Sequence, residues 1–331
     1  MRKGIAVALG IAVFGLAQID SQENSGQEPS TYEATRRRCN EKIAQARQIG
    51  LQRDRSRSKF LLEILNSPPC MIESAVVSFG FDAPRQFHLE VAALVALARL
   101  GDVHVLPSLI QLGEKGWHNH PFYRVALARL QVEVAYPSPL TPERWKQKVQ
   151  RYYDLVGLTK AQLATYLRSE ADKEFPANPP KLERIALRHL TEMVANAYQE
   201  RLPNAFEPLE GLDYEKDFPS ALRIQLARLP ASQRVAWLIN RISQREVINH
   251  HAYYEMQALI DYGSEAVQPI LTALEQGQGI SRGLLLTVLC AIEYSKGCPS
   301  LRSFAEGSDP ALAQQAAYLL KFPVIIRASD W

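Results

Sequence analysis

Histidines, cysteines and carboxylates are the side chains of this 331-residue chain best equipped for chemistry, and several stand close together. Trp117-His118-Asn119-His120-Pro121 places two imidazoles two residues apart. His250-His251 precedes Glu255, which is one helical turn from His251. Either group could contribute ligands to a transition metal, but neither completes a set with recognised spacing, and no H-E-x-x-H occurs. The competing reading is histidines at helix ends, where they meet terminal carbonyls. Residues 203–219 carry Glu207, Glu210, Asp213, Glu215 and Asp217 against Lys216. Asp213-x-Glu215-x-Asp217 alternates carboxylates as a calcium loop does, yet lacks the glycine at the sixth position and the glutamate at the twelfth. The competing reading there is a solvated acidic loop pinned by Phe206, Tyr214 and Phe218.

Nucleophilic catalysis finds no support. The chain has no G-x-S-x-G, no papain-like cysteine context and no Gly-rich phosphate loop. Ser56-Arg57-Ser58-Lys59 has S-x-x-K spacing without its companion motifs. No cofactor is implied. His189 lies on an apolar helix face and reads as a hydrogen-bonded core residue.

Four cysteines allow three pairings. The simplest joins Cys39 to Cys70 and Cys290 to Cys298; the alternative is four buried thiols. No C-x-x-C is present, so a redox dithiol and covalent haem are unsupported. Residues 31–60 hold a basic cluster, including Arg36, Arg37, Arg38 and Arg53. Such a cluster suits an anionic surface or acidic partner, or is simply a solvated helix face.

The N-terminus reads as a secretory signal. Arg2 and Lys3 precede an apolar stretch from Ile5 to Leu16, and Gly15-Leu16-Ala17 supplies small residues for cleavage after Ala17. The stretch is too short to span a bilayer, which needs about 20 residues. Without Arg2 and Lys3, the formal charge of +3 falls to +1, so bulk electrostatics gives no case for nucleic acid. An exported chain, periplasmic or extracellular with no transmembrane segment, is the expectation.

These candidate groups are carried by helices. Glycine is scarce, at 17 residues, and strand-like alternation is almost absent. Ala96-Leu97-Ala98-Arg99-Leu100 recurs unchanged at 126–130, and near copies stand at 186–190 and 226–229. Residues 96–112 also align without gaps to 258–274, pairing Gly101 with Gly263 and Pro107 with Pro269. The shared pattern is a helix, a left-handed glycine turn, a polar cap at Asp102 or Ser264, and a second helix with proline in its first turn.

Arg124-Val125-Ala126-Leu127-Ala128-Arg129-Leu130 and the Gly101-Asp102 turn resemble HEAT repeats, in particular the short repeats of phycobiliprotein-lyase-like proteins. The resemblance covers residues 82–135 and 244–322 and fades between 137 and 218. It implies an all-α solenoid whose concave surface binds another molecule. It does not carry lyase activity with it, because repeats of this kind define an architecture and not a chemistry.

The expected organisation is a signal peptide (1–17), a disordered linker (18–30), an N-terminal helical region with HEAT-like repeats (31–135), an irregular helical region (136–220) and C-terminal repeats (221–331). Gly50 interrupts the first helical stretch. Thr159 and Gln162 form a capping box. Residues 176–180 are a stiff linker, residues 182–197 an amphipathic helix, and 203–219 a long loop, with Ser295 capping a late helix. The function expected is a scaffold for a protein or peptide. The alternatives are a cell-envelope hydrolase with its site within 137–251, or a metal- or calcium-binding protein.

Overall fold

The computed structural model describes residues 31–66, 70, 84–170, 181–245, 250–276, 280–293 and 297–321. The expected signal peptide, the linkers at 18–30 and 176–180, and Ser295 lie outside the described residues. The chain is all-helical where described. Fifteen α-helices follow one another among the described residues: α1 (Thr31–Gln52), α2 (Ser58–Asn66), α3 (Pro84–Leu100), α4 (Leu106–Glu114), α5 (Pro121–Ala135), α6 (Pro142–Val156), α7 (Lys160–Glu170), α8 (Leu182–Gln199), α9 (Phe218–Arg228), α10 (Ala231–Ser243), α11 (His250–Asp261), α12 (Ser264–Gln276), α13 (Ile280–Glu293), α14 (Pro299–Ala305) and α15 (Pro310–Lys321). No strand occurs among the described residues, and no helix there is long and apolar enough to cross a membrane.

Local chemistry explains many boundaries. Gly101 and Gly263 take φ of 54° and 55°, the left-handed conformation that ends α3 and α11. Asp102 accepts a hydrogen bond from the His104 amide and starts the short turn leading into α4. Thr141 caps α6, accepting from the Arg144 amide. At α7, the Thr159 amide donates to Gln162 Oε1 at 2.7 Å while the Gln162 amide donates to Thr159 Oγ1 at 3.1 Å. That reciprocal pair satisfies two amides which a helix start otherwise leaves to water.

Three local expectations need correction. Gly50 does not interrupt a helix; it lies inside α1, where a β-carbon would stand 2.8 Å from the Ala96 Cα on α3. The glycine is there because two helices cross at backbone distance. Pro269 is not in a first turn but inside α12, in contrast to Pro107 near the start of α4. The loop at 203–219 ends early, because α9 already begins at Phe218, and it contains two short 3-10 turns at Glu207–Leu209 and Tyr214–Lys216.

Packing passes from helix to helix along the chain. α1 lies on α3, α3 on α5, α5 on α8, α8 on α9, α9 on α11, α11 on α13 and α13 on α15. The remaining helices flank this series. The apolar residues form two clusters, one running from Cys39 to Ile224 and one from Leu222 to Leu319. α9 serves both, giving Ile224 to the first and Leu222 and Leu226 to the second. A disulfide between Cys39 and Cys70 ties α1 to the segment after α2, with Cα atoms 5.7 Å apart.

Candidate functional site

Charged side chains gather where the two apolar clusters adjoin. Arg99 of α3 reaches Asp261 of α11, Nη2 to Oδ2, at 3.4 Å. Its Nε lies 4.0 Å from Glu192 Oε1 on α8. Arg47 of α1 approaches the other oxygen of Asp261 at 3.8 Å, and the Gln257 amide donates to that oxygen at 2.9 Å. Arg223 of α9 donates to the Arg188 carbonyl at 3.1 Å. Arg188 in turn pairs with Asp217, which also accepts from Ser220 Oγ at 2.8 Å. Further along, Arg129 meets Glu133 at 3.2 Å and Lys148 meets the same carboxylate at 2.8 Å.

The motif repeats explain why these charges meet. The motif position of Arg99 is held by Arg129, His189, Arg228 and Asp261 in the other copies. Arg99 and Asp261 are equivalent positions of the two aligned repeats, yet they contact each other across 162 residues of chain. The Arg129 guanidinium likewise donates to the backbone carbonyl of His189, its own counterpart, at 3.4 Å. This repeat position gives Arg99, Arg129, His189 and Asp261 to the buried polar seam, whereas Arg228 at the same position is exposed, and a polar residue recurring there was the signal available in the sequence.

The seam sets two carboxyls apart. Burial opposes charge on Glu192, but Arg129, Arg99 and Arg223 outweigh it and hold the carboxyl down to about 2. Burial dominates at Asp261 and raises its pKa, against the pull of Arg99 and Arg47. Burial also lowers His189 to about 3, with Glu192 pulling the other way, so the imidazole is neutral at ordinary pH. His189 is a core residue as expected, although its Nδ1 is buried without a hydrogen-bond partner rather than bonded.

Two cavities border the seam. A cleft of about 200 Å³ is lined by Arg99, Glu192, Arg223, Tyr254, Gln257 and Asp261, among others. A broader groove of about 1170 Å³ lies between the end of α8 with the turn after it and the junction of α9 and α10. Gln199 and Ala227 line both. In the groove, Tyr198 and Phe206 have ring centroids 4.7 Å apart, and the Arg228 guanidinium sits 5.0 Å from the centroid of Phe206.

The residues singled out from sequence mostly have other partners. His118 Nδ1 lies 3.3 Å from the Gly113 carbonyl. His120 is half-buried between Trp117 and Phe122, with its Nε2 3.8 Å from Glu90, and burial lowers its pKa to about 4. Glu255 is fully buried and gripped by Arg241 at 2.6 Å and Arg245 at 2.7 Å. His251 stacks on Phe218 with ring centroids 4.0 Å apart. The structure thus assigns His251 and Glu255 to different contacts; the side chain of His250 lies outside the described residues. The alternating carboxylates are also divided: Asp213 pairs with Lys216 at 2.8 Å, Glu215 is exposed, and Asp217 turns inward to Arg188. Among the described residues no three His, Cys, Asp or Glu side chains are grouped to hold a metal ion.

The expected Cys290–Cys298 bond is a further correction. Both residues are buried thiols, with sulfurs 3.4 Å apart and Cys298 placed in a left-handed conformation ahead of α14. In the basic segment, Arg38 and Arg53 are exposed, while the side chains of Arg36 and Arg37 lie outside the described residues. Arg55 is used internally, donating to the Leu100 carbonyl at 3.1 Å. Trp117 packs half-buried against the first apolar cluster.

Comparison with protein-family models, with curated proteins and with solved structures finds no match to this chain.

Proposed function

We propose that this chain is a binding protein that holds a peptide segment of a partner in the groove between α8, α9 and α10. In this reading the helical pairs are HEAT-like repeats stacked as a curved solenoid, and the groove lies on the working face of the stack. The observation that carries it is the groove itself, about 1170 Å³ and lined by arginines, a tilted pair of rings and apolar side chains. The groove is open along its length and does not enclose a compact ligand as a small-molecule pocket does, so a stretch of polymer suits it better. Export fits the same picture: the Cys39–Cys70 disulfide is the kind of bond that persists in an oxidising compartment.

Selection of a random-peptide display library on the immobilised full chain tests the proposal. Enrichment of peptides that compete with one another, and that are not retained by a variant with Arg228 and Arg234 both changed to Glu, supports it. A library that enriches nothing over the blank support removes it.

One observation favours a hydrolase as the second reading, because Glu192 and Asp261 share one cleft and their carboxyls titrate apart. Both acids are held by guanidiniums, however, and about 200 Å³ leaves room only for a small group. Release of reducing ends from envelope polymers, abolished by Glu192→Gln, would move the assignment to this reading.

A further inference from the structure

The chemistry of the groove narrows its occupant, and this step rests on the peptide-binding reading above. Three guanidiniums line it: Arg201 after α8, Arg228 at the end of α9 and Arg234 in α10. Two carboxylates, Glu207 and Glu210, line it as well. Glu207 is already matched, with its Oε1 3.3 Å from Lys146 Nζ, so the cationic side chains are in excess. Arg234 is held in place by its Nε, which donates to the Leu229 carbonyl at 3.0 Å. Arg228 is held by the face of Phe206. Guanidiniums fixed in this way lose little freedom when they grip a carboxylate, and their planar forks match it well.

The rest of the lining is aromatic and apolar. Tyr198 is 41% exposed and leans on Phe206, so a ring surface faces the groove beside the Arg228 guanidinium. Leu202, Ala205 and Leu229 complete the wall. The turn that carries Arg201 and Asn204 takes φ of 58° at both residues, a conformation that non-glycine residues seldom adopt. A uniformly charged polyanion fits this lining poorly, because Glu210 would repel it and the apolar wall would go unused. A peptide can place carboxylates on the arginines and an apolar ring on Tyr198 and Phe206.

We propose that the occupant is an acidic peptide segment carrying an aromatic residue, its carboxylates paired with Arg228 and Arg234 and its ring laid on Tyr198 and Phe206. The measurement is fluorescence anisotropy on the full chain with three labelled probes. One is a twelve-residue peptide of Asp, Glu and Ser with a central Phe. The second has every acid replaced by Lys. The third is an oligogalacturonate of matched charge. The acidic peptide should bind best, and more weakly as salt rises. The pair Arg228→Glu and Arg234→Glu should weaken it about tenfold or more, and Tyr198→Ala several-fold. Circular dichroism of each variant checks that it remains folded.

Equal binding of the acidic and basic peptides, or binding indifferent to the charge reversal, overturns the proposal. Binding of the oligogalacturonate in preference to the acidic peptide also overturns it, in favour of an anionic glycan. If display instead enriches non-acidic peptides that still depend on the groove, this chemistry fails while the peptide-binding reading stands. If neither the library nor any probe is retained, both fail together.

Discussion

The seam and the groove are both rich in arginine, and they use it differently. Arg99, Arg129 and Arg188 are buried or nearly so, and each meets a carboxylate from another turn or another helix. Arg201 and Arg228 are exposed and line a cavity that carboxylates do not fill. The residue type is the same, and even the repeat position is the same for Arg99, Arg129 and Arg228. What differs is the number of elements packed around the side chain. Where two apolar clusters adjoin, a charge must be matched within the protein, because leaving it alone there costs several kcal/mol. At the open edge water does the matching, and the charge is available to a partner at little cost to folding.

Acid should separate the two regions most strongly. His189 is neutral when folded, with a pKa of about 3 against 6.5 unfolded, so the unfolded chain takes up a proton first as pH falls. The stability that depends on it is whole above pH 6.5 and drains away toward pH 3. Glu192, at about 2 folded against 4.5 unfolded, adds a loss in the same direction between pH 4.5 and 2. Asp261, raised by burial, opposes them weakly. Denaturation melts at pH 7 and pH 4 should differ by on the order of 3 kcal/mol from His189 alone, and His189→Gln should flatten that slope. An unchanged slope in the variant would remove His189 from the seam's account.

Next in size is Arg99→Ala, which removes the guanidinium that Glu192 and Asp261 share and leaves Asp261 to Arg47 and Gln257. We expect a loss of about 2–3 kcal/mol in urea unfolding. A loss below about 0.5 kcal/mol would place Arg99 with the surface arginines. The exchange Arg99→Asp with Asp261→Arg sharpens the point. If the pair acts as a pair, the double variant should recover about 1 kcal/mol over the sum of its single changes, as a double-mutant cycle reads it. The smallest effect belongs to the groove. Arg228→Glu with Arg234→Glu should cost no more than about 1 kcal/mol of stability, from the lost Arg234–Leu229 bond and Arg228–Phe206 contact, although it should weaken the binding described above about tenfold or more. A large destabilisation there would erase the distinction between the two regions.

What could be read in advance was what a few neighbouring residues decide. Gly101 and Gly263 end helices because only their own backbone must turn left-handed. Thr159 and Gln162 close a capping box across three residues. Cys39–Cys70 was one half of the simplest pairing of the four cysteines, but the other half, Cys290–Cys298, is a pair of free thiols, so spacing alone did not decide it. Three of the misjudged features depend on partners outside their own element. Gly50 looked like a breaker because Ala96, which requires it, is a helix away in space and far along the chain. Glu255 looked available for metal because Arg241 and Arg245, which enclose it, sit on the preceding turn and helix rather than on its own helix. Asp217 looked like one of a row of carboxylates until α9 began beside it and Arg188 took it inward. The cleft and groove have no local signal at all, since each is the gap left between elements that pack for other reasons.

The contact between Arg99 and Asp261 also bears on how the chain reaches this state. Most neighbouring helices here are close in sequence and can pair while the rest of the chain is loose. The clasp between α3 and α11 joins residues 162 positions apart, so it depends on a long stretch of chain coming together. Such a loop is entropically expensive to close early, although each doubling of its length adds only about 0.6 kcal/mol. We expect its interactions to form on the downhill side of the folding barrier. Contacts formed that late slow the opening of a finished protein more than they hasten its assembly, so Arg99→Ala should raise the unfolding rate more than it lowers the folding rate in stopped-flow measurements.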